Sequence, residues 1–231
     1  MNAGKTTTIR AMARGFAQAG HRPGVTKVTG TGSGNDYWVM IDAGAHLMLD
    51  FTDAGLASTF RQPLPRLERA FAQLVSHLTL AGCRINFVEI ADGIFQRETS
   101  ALLRSATFHG LIDGVVLAAS DAMGAAHGTQ VMQSLGIDVL ALSGLMTRSP
   151  LAAREAHDAT GLPVADLDQL MDATHMSALL GVDRASLTPV PDALPPAWPI
   201  EVAGLDIDTD EFDLDSDDLV DSRSVSLEAA R

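Results

Sequence analysis

Met1-Asn2-Ala3-Gly4-Lys5-Thr6-Thr7-Thr8 decides how the chain reads. Gly-Lys-Thr opening a helix is the second half of the phosphate-cradling pattern G-x-x-x-x-G-K-S/T. In that pattern backbone N–H groups wrap phosphates, the lysine reaches the β- and γ-phosphates, and the hydroxyl holds Mg²⁺. Lys5 is the lysine here and Thr6 the hydroxyl. From Thr7 to Ala19, residues Ile9, Met12, Ala13, Phe16 and Ala17 recur at helical spacing, and Gly20 ends the run. The pattern's first glycine would fall just ahead of Met1, as would the strand that delivers such a loop. The sequence therefore reads as one whose start lies inside its own loop, through truncation or a misassigned start. Chance similarity at a helix start is the alternative for so short a match.

The basic residues sharpen this reading. The chain has fourteen arginines and two lysines, Lys5 and Lys27. Arginine is a planar fork and lysine a compact charge on a flexible stem, which suits a phosphate site. Lys27 lies in Val25-Thr26-Lys27-Val28-Thr29, a predicted strand, followed by the glycine-rich Gly30-Thr31-Gly32-Ser33-Gly34-Asn35-Asp36. Backbone in such a loop can approach a ligand closely. Asp36, Asp42, Asp50 and Asp53 follow; any of them could serve a metal, a cationic group, a turn or a helix cap.

Further along, Leu64 to Leu80 carries Leu67, Phe71, Leu74, Val75 and Leu78 on one helical face. Ile85 to Ala91 is an apolar run suited to a buried parallel strand. Open α/β sheets bind ligands at the carboxyl ends of their strands, so Glu89 and Asp92 become candidates for a metal-binding acid. Asp92 also suits a helix cap. Helices are expected over Arg97–Ala106, Gly124–Leu135 and Pro150–Thr160, with short ones at Leu167–Met171 and His175–Leu180. Strands are expected at 111–119, 138–144 and 161–164. This alternation predicts an α/β fold with a parallel sheet and helices on both faces.

Composition sets bounds. Net charge is −13, but residues 185–231 hold twelve acids against two arginines, net −10, while residues 1–184 carry only −3. We therefore expect a domain over 1–184 and a Pro-rich, then acidic tail over 185–231, disordered or loosely attached. No basic patch suggests nucleic acid. No apolar run reaches the ~18–20 residues of a membrane span, and no signal peptide is evident. A cytoplasmic protein acting on a small molecule is expected, with a homodimer compatible. The single Cys83 allows no disulfide framework and reads as a small buried residue. The histidines show no metal-ligand spacing.

With these residues placed, the order Gly4-Lys5-Thr6-Thr7, strand–Lys27, Gly/Asp loop, strand–Glu89, Ala118-Ala119-Ser120-Asp121-Ala122-Met123-Gly124 and Leu142-Ser143-Gly144-Leu145-Met146-Thr147 resembles the dethiobiotin synthetase group of P-loop proteins. The resemblance covers residues 1–175. It implies a three-layer P-loop NTPase fold whose first strand is missing, with ATP and Mg²⁺ as cofactors. It further implies ATP held by Asn2, Ala3, Gly4, Lys5, Thr6 and Thr7, and adenine near Ser143 and Gly144. Mg²⁺ would lie on Thr6, Asp36 and Glu89, with Asp42 the alternative to Asp36. Lys5 and Lys27 would be catalytic, Lys27 neutralising a carbamate or phosphate intermediate. The implied activity is phosphoryl transfer to a small carboxylate or carbamate. A nucleotide-dependent switch or cofactor-assembly protein, or a degenerate and inactive domain, are the alternatives. The sequence departs from the family where Lys27 is followed by Val28 rather than proline, in Glu89-Ile90-Ala91-Asp92-Gly93, and in lacking recognisable segments for the diaminononanoate substrate.

Overall fold

The chain folds as an α/β unit built on parallel strands. A computed structural model describes residues 2–32 and 34–183 together with Leu187. The tail expected at 185–231 lies outside the described residues, Leu187 apart.

Helix α1 (Lys5–Gln18) leads into strand β1 (Pro23–Lys27), then α2 (Gly34–Asp42) and β2 (Leu47–Asp50). Helix α3 (Leu64–Leu80) precedes β3 (Ile85–Glu89), and α4 (Arg97–Leu103) and α5 (Ala106–Leu111) precede β4 (Val115–Ala118). Then come α6 (Ala122–Ser134), β5 (Val139–Ser143), a 3₁₀ turn at Leu145–Arg148, α7 (Pro150–Thr160), α8 (Leu167–Met171) and α9 (Ala173–Leu180). Strands β2, β1 and β3 lie side by side in that order, all parallel, and β4 pairs with β5, also parallel.

Local chemistry accounts for most boundaries. Pro63 and Pro65 start α3, since proline needs no N–H in a first turn. Along α3, Leu67, Phe71, Leu74 and Leu78 recur at helical spacing and are buried; each contributes about 1.5–3 kcal/mol relative to exposure. The expected helix over Arg97–Ala106 divides, because the Ser105 hydroxyl accepts from Phe108 N–H and starts α5. That second helix takes Leu111 and shortens the expected strand at 111–119 to β4. The glycine-rich stretch is also shorter than expected: α2 begins at Gly34 and places Asp36 in its first turn. Strand β2 was not evident in the sequence, and the strand expected at 161–164 is a single parallel bridge, Leu142 to Val164.

Two main apolar clusters form the core. One joins α1 to β1, β3, α8 and α9 through Ile9, Met12, Phe16, Val25, Phe87 and Leu170. The other packs Phe71, Leu102, Phe108, Met132, Leu142 and Met146 around α3 to α7. A smaller cluster of Phe51, Leu56, Leu67 and Ala70 closes the turn after β2. Their effect on the site is to hold the carboxyl ends of β1, β2 and β3 rigidly beside the amino end of α1.

Candidate functional site

Strand register assembles the site. Lys27 ends β1 and pairs in register with Asp50 of β2 on one side and Glu89 of β3 on the other. Paired residues of parallel strands project to the same face. An acid–lysine–acid row therefore lies across the carboxyl edge of the sheet. Lys27 is 8% exposed, Glu89 5% and Asp50 7%. Charges this buried need partners. Lys27 Nζ forms an ion pair with Asp36 of α2. Glu89 Oε1 accepts a hydrogen bond from Thr6 Oγ1 at 3.0 Å. Asp50 is spent locally: its Oδ1 accepts from the N–H and hydroxyl of Thr52 in the following turn.

Glu89 is the electrostatic centre. Burial pushes its carboxyl above the ordinary range. Lys27 and the Thr6 hydroxyl pull it back, the Asp36 carboxylate pushes it further up, and Lys5 lowers it. The two lysines, the Thr6 hydroxyl and the Asp36 carboxylate thus come within electrostatic reach of Glu89.

The loop before α1 is shaped for a close approach. Gly4 caps α1 in the left-handed region, φ 93° and ψ 18°, and no side chain caps the first turn. No acid occupies that turn either. Its N–H groups and the positive end of the helix dipole are therefore left for an anion. Asn2 is also left-handed, at φ 56°. The loop is braced from outside: Leu145 N–H donates to Ala3 O at 2.9 Å, and Gly144 Cα approaches Gly4. Thr8 N–H donates to Gly4 O at 2.9 Å and closes the first helical turn.

Not every expected residue has its side chain at this centre. The Ser143 hydroxyl is buried and donates to Ala165 O at 2.8 Å, so it serves the sheet. Gly144 acts through shape, holding Ala3 in place. The sequence reading missed both this brace and the place of Asp50 beside Lys27; Leu47-Met48-Leu49-Asp50 is too short an apolar run to signal a strand. It also missed Thr29, whose Oγ1 accepts from Ala91 N–H at 2.8 Å and ties the segment after β1 to the one after β3. His127 stacks on Phe95 with ring centroids 5.8 Å apart, and both line a cleft of about 710 Å³ between β3 and β4.

Among the described residues, no group of three or more His, Cys, Asp or Glu is placed to hold a metal ion. Oxygen donors near the Thr6–Glu89 contact are a hydroxyl and the carboxylates of Glu89 and Asp36, a hard donor set of the kind magnesium takes when water and phosphate oxygens complete the shell.

Fold and site together define an α/β protein with an open, parallel sheet and a charged cluster at the carboxyl ends of its strands. Compared with family models, curated proteins and solved structures, the chain gave no significant match. No helix of the described residues is long and apolar enough to cross a membrane.

Proposed function

We propose that the chain binds Mg-ATP at the amino end of α1 and transfers the γ-phosphoryl group to a small carboxylate- or carbamate-bearing acceptor, in the manner of the dethiobiotin synthetases it resembles. The observation that carries this reading is the Thr6–Glu89 hydrogen bond beside buried Lys27, at the uncapped amino end of a helix that begins Gly-Lys-Thr. Residues 6 and 89 lie far apart in the chain, and their hydrogen bond supports the reading, because a hydroxyl and an acid are the donors that magnesium at a phosphate loop uses.

In this reading Thr6, Glu89 and Asp36 would hold Mg²⁺, which would supply positive charge against the phosphates. The N–H groups of the first turn of α1 receive phosphate oxygens. Lys5 neutralises charge on the γ-phosphoryl group. Lys27 orients the anionic acceptor, and its ion pair with Asp36 positions that lysine until the acceptor arrives. The acceptor oxygen forms the new P–O bond as the bond to the β-phosphate oxygen breaks, leaving ADP. Positioning and electrostatics supply the acceleration in such transfers.

Equilibrium ATP binding, with and without Mg²⁺, tests the reading. Binding is expected to require Mg²⁺ and to weaken at least tenfold in Lys5→Ala, since a charge-assisted contact is worth about 1.5–3 kcal/mol. Equal binding by wild type and Lys5→Ala, or binding indifferent to Mg²⁺, overturns it.

A further inference from the structure

We propose that the groove where α1, α2 and α8 part is a second ligand site, built for a small phosphate monoester with an apolar body. It lies on the flank of α1, and it stands whether or not a nucleotide binds at that helix's amino end.

Two close backbone approaches shape the groove. At Gly15 a Cβ would lie 2.3 Å from Met171 O, so α1 and α8 touch there. At Gly44 a Cβ would lie 2.8 Å from the Ala17 side chain, so the turn after α2 also closes on α1. Both contacts fall in the carboxyl half of α1. Ahead of them the helices part, and a pocket of about 370 Å³ opens between them. Sites for small ligands begin at about 300 Å³. The glycine contacts fix the opening before any ligand arrives.

Charge selects the ligand's head. Arg10 and Arg14 of α1 both line the pocket. Four residues apart, they share one helix face, where like charges destabilise a helix. Among the described residues neither guanidinium makes an ion pair or a hydrogen bond. The acid in the lining, Asp42 of α2, pairs with neither. Two guanidinium forks so spaced converge on one dianionic group, each donating to two of its oxygens. A phosphate monoester carries about −1.5 to −2 charge near pH 7 and three acceptor oxygens, enough to answer both forks. A single carboxylate answers one. Asp42 repels further negative charge, which sets one phosphate apart from a polyphosphate chain.

The other walls select the ligand's body. Val39 and Ala43 of α2 and Leu167 and Met171 of α8 line the same pocket. Val39 and Met171 pack on the core cluster around α1, so this wall is continuous with the fixed interior. Leu167, the first residue of α8, is 44% exposed. An apolar group on the phosphate ester would cover it and gain from the area removed from water.

Phenyl phosphate is the probe, and inorganic phosphate and phenol are its two halves. Each is titrated calorimetrically into the chain without nucleotide, at low ionic strength because salt screens exposed charges. One phenyl phosphate per chain is expected, bound at least about tenfold more tightly than either half. It should weaken by at least about tenfold in Arg10→Gln/Arg14→Gln and stay within about twofold in Lys5→Ala. Leu167→Ser should weaken phenyl phosphate and leave inorganic phosphate unchanged. Both arginines are exposed, so the double variant should melt no lower than wild type; a fall of more than about 5 °C makes them structural and overturns the proposal. Equal affinity of wild type and double variant overturns it, as does equal affinity for phenyl phosphate and inorganic phosphate. Loss of binding in Lys5→Ala assigns the anion to the amino end of α1 and overturns it too. Failure of ATP binding leaves these readouts unmoved, so the two proposals fail separately.

Discussion

Replacing Gly144 with alanine tests whether the 2–4 loop is held by the turn after β5. Gly144 sits at φ 100° and ψ −159°, a region essentially reserved for glycine. A Cβ there would lie 2.3 Å from Ala3 O, 2.7 Å from Ala119 O and 2.8 Å from Ala119 N. All three atoms are backbone, so no side chain can swing aside. Backbone strain costs about 1–3 kcal/mol and forced repacking a further ~1–3 kcal/mol. The sum, about 2–6 kcal/mol, is a large share of the ~5–15 kcal/mol that holds a typical domain together. With a urea slope of roughly 2 kcal/mol/M, the unfolding midpoint should fall by about 1–3 M. Gly110→Ala is the control: Gly110 lies in α5, and a Cβ there meets nothing within 4 Å. It should stabilise by about 0.5–1 kcal/mol through helix propensity alone. If Gly144→Ala unfolds within about 0.3 M of wild type on that slope, Gly144 does not brace Ala3 and the account of the loop is wrong. If it unfolds early but the retained folded fraction binds ATP as wild type does, the brace is structural and not part of the site.

Three further outcomes follow from the same geometry. Glu89 has a raised pKa in the fold, so between the ordinary value of 4.5 and that higher one the native state holds more proton than the unfolded chain. Stability should therefore fall as pH rises through this window and stay low above it; in chelator-containing buffer Glu89→Gln should flatten the slope, and a slope unchanged in the variant excludes Glu89 as its source. Cys83 is buried and its thiol is pushed up to about 11, chiefly by burial against a small pull from Arg22, so a thiol reagent should label it slowly at pH 8 until denaturant is added. Prompt labelling of the native protein would contradict this burial. Ser105→Ala removes the hydroxyl that accepts from Phe108 N–H, and chemical denaturation should show a loss of about 1 kcal/mol, with no loss meaning that the cap is dispensable.

Sequence alone determined the layout: which stretches are helix or buried strand, and which charged residues end strands. Helix α3 is legible because its apolar residues repeat at the helix's own period, and β3 because an apolar run of strand length closes on an acid. Lys5, Lys27, Asp36 and Glu89 stand out in the sequence for a related reason, since charges at strand ends or helix starts contrast with their neighbours, and Thr6 stands out as the hydroxyl after Lys5. Tertiary structure decided what those residues do to one another. Register across three parallel strands put Lys27 between Asp50 and Glu89, and register is a non-local property that no single stretch encodes. The division of the expected 97–106 helix and the use of Ser143's hydroxyl on Ala165 were likewise decided by partners distant from the periodic pattern. The pairing of Thr6 with Glu89 and of Lys27 with Asp36 depends on how α1 and α2 seat on the sheet, which packing sets and local propensity does not. The cleft between β3 and β4 belongs to the same class: each strand reads as buried in the sequence, and only their placement shows that, among the described residues, each pairs along one edge.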